Sequence, residues 1–338
     1  MDKRKKINRL MCSLCQKKFS RKEFIKLAVS STAFFSVQKF LSKFDYAYAE
    51  NVKSIEEDFS YGRLKKDIKG NYDLVVVQGK NPEQLIKEAI KAMGGMGKFV
   101  KKDSVVLVKP NIGWDRNPEQ AANTNPDIVA ALIDLCYEAG AKRVNVFDGT
   151  CNDPRRCYDN SGISQAAREH GANVFFPSSW NVVKAKFKYD SPMEGWLIYK
   201  EALTCDTFIN VPIAKNHGLT NLTLSMKNLM GVCSGNRGQI HSNIGRKLVD
   251  LTDFINPDLT VIDAVRVLLR HGPQGGDLND VAQKDTVVIG TDPVLTDSYA
   301  CTLMNEDVLS VNYLQEAINC GFGKHDLAKA NIFKLNLG

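Results

Sequence analysis

Leu74-Val75-Val76-Val77, Val105-Val106-Leu107-Val108 and Val144-Asn145-Val146-Phe147 are short, nearly unbroken apolar runs, and helical stretches separate them. A strand with one wet face alternates apolar and polar residues. A strand buried on both faces reads as a continuous run. Covering both faces takes helices, and the chain supplies them. From Pro82 to Met93, residues Leu85, Ile86, Ala89, Ile90 and Met93 share one helical face. Asn125 and Pro126 read as N-cap and first turn of a second helix, ending near Glu138 and Gly140. The pattern continues with a helix at 163–170, strands at 173–176 and 206–211, and helices near 220–230 and 245–254. Strands at 259–263 and 286–290 and helices near 292–304 and 308–319 complete it. These elements predict an α/β fold, a mainly parallel sheet with helices on both faces, with two lobes around a cleft as a variant. The stretch 177–198, rich in Pro, Ser, Trp and Gly, reads as a hairpin excursion or sub-domain boundary.

The charge is unevenly placed. Of a formal +7, residues 1–49 carry +9 and the other 289 residues −2. A nucleic-acid footprint needs a basic domain, so nucleic acid is not an expected partner. No apolar run reaches the roughly 20 residues that span a bilayer as a helix, so no integral membrane segment is expected. The basic N-terminus has the order of an export signal. Ser20-Arg21-Lys22-Glu23-Phe24-Ile25-Lys26 is followed by an apolar stretch from Leu27 to Val37 and then by Ala47-Tyr48-Ala49. The first of these resembles the twin-arginine consensus, with Lys22 in place of the second arginine. The expected organisation is an export signal over 1–49, a linker or N-terminal arm over 50–70, and an α/β domain over 71–338. The mature chain would be periplasmic or otherwise extracytoplasmic after cleavage near Ala49, with the twin-arginine machinery as a partner.

Cys12 and Cys15 begin a zinc-finger pattern that no histidine pair completes. Cys136, Cys205 and Cys301 lie in apolar surroundings and read as small core residues. Cys151 and Cys157 flank a probable loop, as a local disulfide or as two free thiols.

In open α/β sheets ligands bind beyond the carboxyl ends of the strands. That rule selects Lys109 and Asn111, then Asp148, then Lys215 and His217, then Asp263, then Asp292 with Asp297 a turn later. On the expected 220–230 helix, Leu222, Met226 and Leu229 form an apolar stripe, while Thr220, Thr223 and Lys227 share another face, with Asn228 beside it. Two lysines and an imidazole suit a carboxylate, phosphate or enolate. The Gly-rich segment from Gly231 to Gly238 holds Arg237 and reads either as an anion-binding nest or as a lid, with His241 just after it. Asp148, His217, His241, Asp263 and His271 could supply a metal site, although no local ligand spacing supports one. His271-Gly272-Pro273 could equally shape a loop, and Asp292 before Pro293 could cap a helix. No G-x-S-x-G elbow is present for a serine hydrolase.

Several of these segments together resemble one family. Lys109-Pro110-Asn111, Asn125-Pro126, the run Glu138-Ala139-Gly140-Ala141-Lys142-Arg143-Val144 and Asp148-Gly149 look like its first half. The run from Asn210 through Lys215, His217 and Thr220, then Lys227-Asn228-Leu229-Met230-Gly231, looks like its central signature. Pro257 to Asp263, Gly272-Pro273, Gly275, Asp292-Pro293 and Asp297 look like its third block. The family is domain of unknown function 362, and the resemblance spans about residues 72–322. It implies an α/β fold and a shared set of polar residues, but no defined reaction. Members are often joined to ferredoxin-type iron–sulfur domains, whose cysteine spacing is absent here.

The expected function is an exported enzyme acting on an anionic small molecule, with any metal or organic cofactor left open. Lys215 and Lys227 would stabilise negative charge, His217 would move a proton and Asp148 would orient a base or ligand. Lys109, Asn111, Thr220, Asn228, Arg237, Asp263, Asp292 and Asp297 are the candidate ligand-binding residues. The alternative is a non-catalytic protein that binds or matures a ligand, a metal or a redox partner.

Overall fold

The Val-rich runs are strands whose successive side chains enter two different cores. Leu74 and Val76 face one core while Val75 and Val77 face the other, and the same division separates Leu107 from Val106 and Val108. A computed structural model describes residues 58–338. In chain order the first elements are β1 (Asp58–Ser60), β2 (Leu74–Gln78), α1 (Pro82–Ala92), β3 (Val105–Pro110), α2 (Pro126–Glu138) and β4 (Arg143–Val146). Next come α3 (Pro154–Asn160), α4 (Ile163–Glu169), β5 (Asn173–Val174), β6 (Val182–Lys186), β7 (Leu197–Tyr199), α5 (Lys200–Thr204) and β8 (Thr207–Val211). Then follow β9 (Ile213–His217), β10 (Asn221–Thr223), α6 (Ser225–Asn228), α7 (Ile244–Ile255) and β11 (Leu259–Leu268). The last are β12 (Val281–Gly290), α8 (Pro293–Met304), α9 (Asn312–Asn319) and β13 (Ile332–Asn336).

The main sheet has the order β13-β2-β12-β11-β8-β3-β4-β5, with β9 and β10 paired off β11. Along that order only β12 runs against its neighbours, because β11 returns directly into it as a long hairpin. The sheet is therefore mostly parallel. α1, α2 and α4 cover one face through Leu85, Ile90, Leu132, Ile133 and Ile163. α7, α8 and α9 cover the other through Leu248, Phe254, Leu295 and Leu314. Asn81, Asn125 and Asp292 cap α1, α2 and α8, each accepting a backbone N–H from the first turn. No helix among the described residues is long and apolar enough to cross a membrane.

Four expectations are corrected or sharpened. The helix at 220–230 is instead the hairpin β9–β10, pairing Lys215 with Thr223, followed by the single turn of α6 and a 3-10 turn at Leu229–Val232. Leu222, Leu224, Met226 and Leu229 are all fully buried, so the helical spacing reflected burial on every side and not an amphipathic face. The 177–198 excursion is the hairpin β6–β7, which joins β1 in a separate three-stranded sheet. The described part of the 50–70 segment is a docked arm. Arg63 is buried, with its guanidinium 2.8 Å from Asp258 and donating to the carbonyls of Ile255 and Asn256. Cys151 and Cys157 are separate thiols, the first exposed and the second buried with its Sγ against the Gly113 carbonyl. The export signal and Cys12–Cys15 lie outside the described residues.

Candidate functional site

Because β3 and β4 run in parallel register, their carboxyl ends bring Lys109 beside Asp148. The Lys109 ammonium lies 2.7 Å from Asp148 Oδ1 with both side chains buried, and Asp148 Oδ2 accepts the Ile112 N–H at 2.7 Å. Burial pushes the Lys109 pKa down, while the Asp148 carboxylate works against that. The backbone of Gly231 lies over this pair. A Cβ there would fall 1.7 Å from Asp148 Oδ1 and 2.9 Å from Lys109 Nζ, so only glycine fits. Lys109 and Asp148 thus form a neutralised floor.

A chain of amides stands on that floor. Asn210 Nδ2 donates to the Ser225 carbonyl, Asn228 Nδ2 donates to Asn210 Oδ1 at 2.9 Å, and Asn111 Nδ2 donates to Asn228 Oδ1 at 3.0 Å. Asn111 Oδ1 is then left as an acceptor for Lys215 Nζ at 3.1 Å, and the Ala122 carbonyl is the second acceptor. Lys215 is fully buried, and its partners are neutral. Burial lowers its pKa to about 7.

Above these groups opens a cleft of about 620 Å³, lined by Asn111, Asp148, Cys151, Lys215, His217, Thr223, Lys227, Asn228, Arg237 and His241 among others. Lys227 is buried, and its amine donates to the thioether sulfur of Met230 at 3.3 Å, a weak acceptor. Burial, and then the Arg237 charge, lower its pKa to about 8. Thr223 Oγ1 is buried without a hydrogen-bond partner among the described residues. Arg237 is tied to the Gly149 and Thr150 carbonyls, which anchor the segment after Gly231 over the end of β4 without neutralising the guanidinium.

His217 ends β9. The Leu219 N–H donates to its Nδ1 at 3.1 Å, so Nδ1 carries no proton and the neutral ring holds its hydrogen on Nε2. Burial, then Lys227 and Lys215, lower its pKa to about 3, so the ring is neutral at pH 7. The His241 ring stacks beside it at a centroid distance of 6.2 Å.

The structure therefore gathers Asn111, Asp148, Lys215, His217, Lys227, Asn228 and Arg237, with Lys109 directly beneath. It does not gather the other four. Thr220 donates to the Leu222 carbonyl inside the hairpin turn. Asp263 lies within β11, which continues to Leu268, and accepts the Asn125 and Val265 N–H groups. Asp292 follows β12, whose reversed direction puts its carboxyl end at the opposite edge of the sheet, and there it caps α8. Asp297 accepts the Ser225 and Met226 N–H groups and holds α6 in place. Burial raises the Asp263 and Asp297 pKa values to about 6 and about 7. The five-residue metal set is also dispersed. His271 bonds Asp280 at 2.6 Å, and no trio of His, Cys, Asp or Glu among the described residues is placed to hold a metal ion. Cys151 and Thr223 are among the cleft residues that the strand-end rule does not reach. Cys151 lies three residues past Asp148, which was the available signal, whereas Thr223 enters only through the hairpin.

Residues 106–302 match the family described as Domain of unknown function (DUF362). Thylakoid-associated protein sll1697 of Synechocystis sp. is 29% identical over 225 residues, covering 63% of this chain and 68% of the relative. Among solved structures, the lactate racemase apoprotein from Thermoanaerobacterium thermosaccharolyticum is similar at a TM-score of 0.44 and 13% identity, over 75% of this chain and 61% of that one. A Thermotoga maritima protein is similar at 0.40 and 12% identity, over 68% of this chain and 60% of that one. The chain thus spans about three fifths of each of these two structures.

Proposed function

The chain belongs to the DUF362 family, and from that premise we propose that it is an exported enzyme acting on a small anionic molecule bound in the cleft between Lys215, Lys227 and Arg237. One observation carries the reading. Two buried lysine amines and a guanidinium line the same cleft, and none of the three has a carboxylate partner among the described residues. Buried cations are costly to fold around unless something compensates them, and an anionic ligand is that compensation. The neutral His217 offers an N–H from Nε2. Its part is therefore to donate a hydrogen bond to a developing oxyanion rather than to arrive charged. Asp148 neutralises Lys109 and holds the end of β4, a positioning part rather than a proton-transfer one.

The expected pH dependence follows. Lys215 and Lys227 lose their protons near about 7 and about 8 in the free protein. Anion affinity is highest below those values and falls as pH rises through them. Since a hydrogen bond to a charged group contributes about 1.5–3 kcal/mol, titration of small carboxylates and phosphates from pH 6.5 to 9.5 should show a loss of about tenfold or more. Affinity that is flat over this range, or that survives Lys215→Met, would overturn the anion site. A ligand released chemically unchanged under every condition would leave a binding protein in place of an enzyme.

Export is proposed on the order of Ser20–Lys26, the apolar stretch and Ala47-Tyr48-Ala49. In a bacterial host the chain should be recovered outside the cytoplasm and trimmed after Ala49, and Arg21→Lys should retain it inside. A full-length cytoplasmic protein would refute this.

A further inference from the structure

We propose that Lys227 is a covalent attachment point, its amine condensing with the carbonyl carbon of a 2-oxo acid or a similar carbonyl-bearing anion held in the cleft. The inference rests on the anion-binding reading above and names the chemistry of its ligand.

The two buried lysines are not equivalent. Lys215 Nζ is committed to two oxygen acceptors, Asn111 Oδ1 and the Ala122 carbonyl. Those bonds fix its position, so it serves to hold a ligand and not to attack it. Lys227 Nζ has only the Met230 thioether among the described residues, although the side chain is only 6% exposed. A thioether orients an amine without competing for it as a carboxylate or carbonyl would. Lys227 lines the same cleft as Lys215, His217 and His241. Around it Arg237 supplies one cation for a carboxylate and Lys215 a second, since a bound carboxylate favours its protonated form, and neutral His217 supplies an N–H for an oxygen. Burial beside Arg237 brings the Lys227 pKa down to about 8, so at pH 8 a large share of the amine is unprotonated and nucleophilic.

The step balances without an oxidant or reductant. The Nζ lone pair forms a bond to the carbonyl carbon, and the C=O π pair moves to oxygen, which takes a proton. Nitrogen loses a proton, giving a neutral carbinolamine. The hydroxyl then leaves as water after a second protonation, the nitrogen lone pair closes the C=N bond as an iminium, and loss of the nitrogen proton to solvent returns the proton that was added. The sum is amine plus carbonyl giving imine plus water. The His217 Nε2–H hydrogen-bonds the oxygen while negative charge develops on it in the addition step.

The test traps the imine in the folded full-length chain. Pyruvate, glyoxylate and 2-oxoglutarate are each added with sodium cyanoborohydride at pH 8, followed by intact-mass measurement and peptide mapping. The corresponding 2-hydroxy acids, which cannot form an imine, are titrated in parallel by thermal shift. The expected result is a single saturable reduced adduct on Lys227, competed by the 2-hydroxy acid. It should be lost in Lys227→Arg, whose guanidinium cannot form the imine, while the thermal shift of the parent with the 2-hydroxy acids reports the anion site independently. Thermal shifts without any adduct, or adducts that persist in Lys227→Arg, overturn the attachment while leaving the anion site standing. No shift and no adduct with any probe defeats both readings.

Discussion

Asp148→Ala should lower the unfolding free energy by about 3–5 kcal/mol, because it strands the Lys109 ammonium in a buried position. For a chain of this size that is a fall in midpoint of about four to seven degrees, measurable by calorimetry or denaturant titration. The same substitution leaves the Ile112 N–H without its acceptor. Removing both charges is a different matter. A Lys109→Met, Asp148→Leu double variant replaces the pair with apolar volume, and such replacements are often neutral or stabilising. The double variant should therefore be more stable than Asp148→Ala alone. Gly231→Ala should resemble the single variant, since its methyl group would lie 1.7 Å from Asp148 Oδ1 and must part the pair. An Asp148→Ala chain within about 0.5 kcal/mol of the parent, the range of an ordinary surface substitution, would mean that the pair does not anchor the cleft floor.

What the sequence made visible follows from which interactions are local. The strands were legible because burial on both faces leaves a continuous apolar run. The caps at Asn81, Asn125 and Asp292 lie next to the helices they begin. Lys109, Asn111, Asp148 and Lys215 could be placed at one edge because parallel strands share a direction. Asp292 was misplaced for the same reason. Nothing in residues 281–290 states that β12 runs backwards, since direction is set by the hairpin from β11. The 220–230 segment misled because a stretch buried all round has no period to read. Arg63 and Asp258 are 195 residues apart, and an ion pair over that separation leaves no local trace. β13 follows a polar stretch and half-exposed residues, and it is a strand because β2 offers it an edge.

Lys227→Met should stabilise the ligand-free protein at pH 7 by about 1–3 kcal/mol while weakening anion binding about tenfold or more. Methionine keeps an unbranched stem of similar length, and the substitution leaves no acceptor orphaned, since the amine bonds only the Met230 sulfur among the described residues. The gain comes from removing a buried charge. An unfolded lysine releases its proton near about 10.4, while the folded Lys227 does so near about 8. Between those values the unfolded parent binds more protons than the folded one, so the parent's stability rises with pH through this window. The advantage of Lys227→Met is therefore fully present below about pH 8 and closes as pH approaches about 10. Unfolding free energies of both proteins at pH 7 and pH 10 read this directly. A gap that closes, together with lost affinity, identifies an amine that costs the fold stability and is retained for its ligand. A variant less stable than the parent at both pH values would make Lys227 a structural residue, and the cleft would then lose the group on which its chemistry rests.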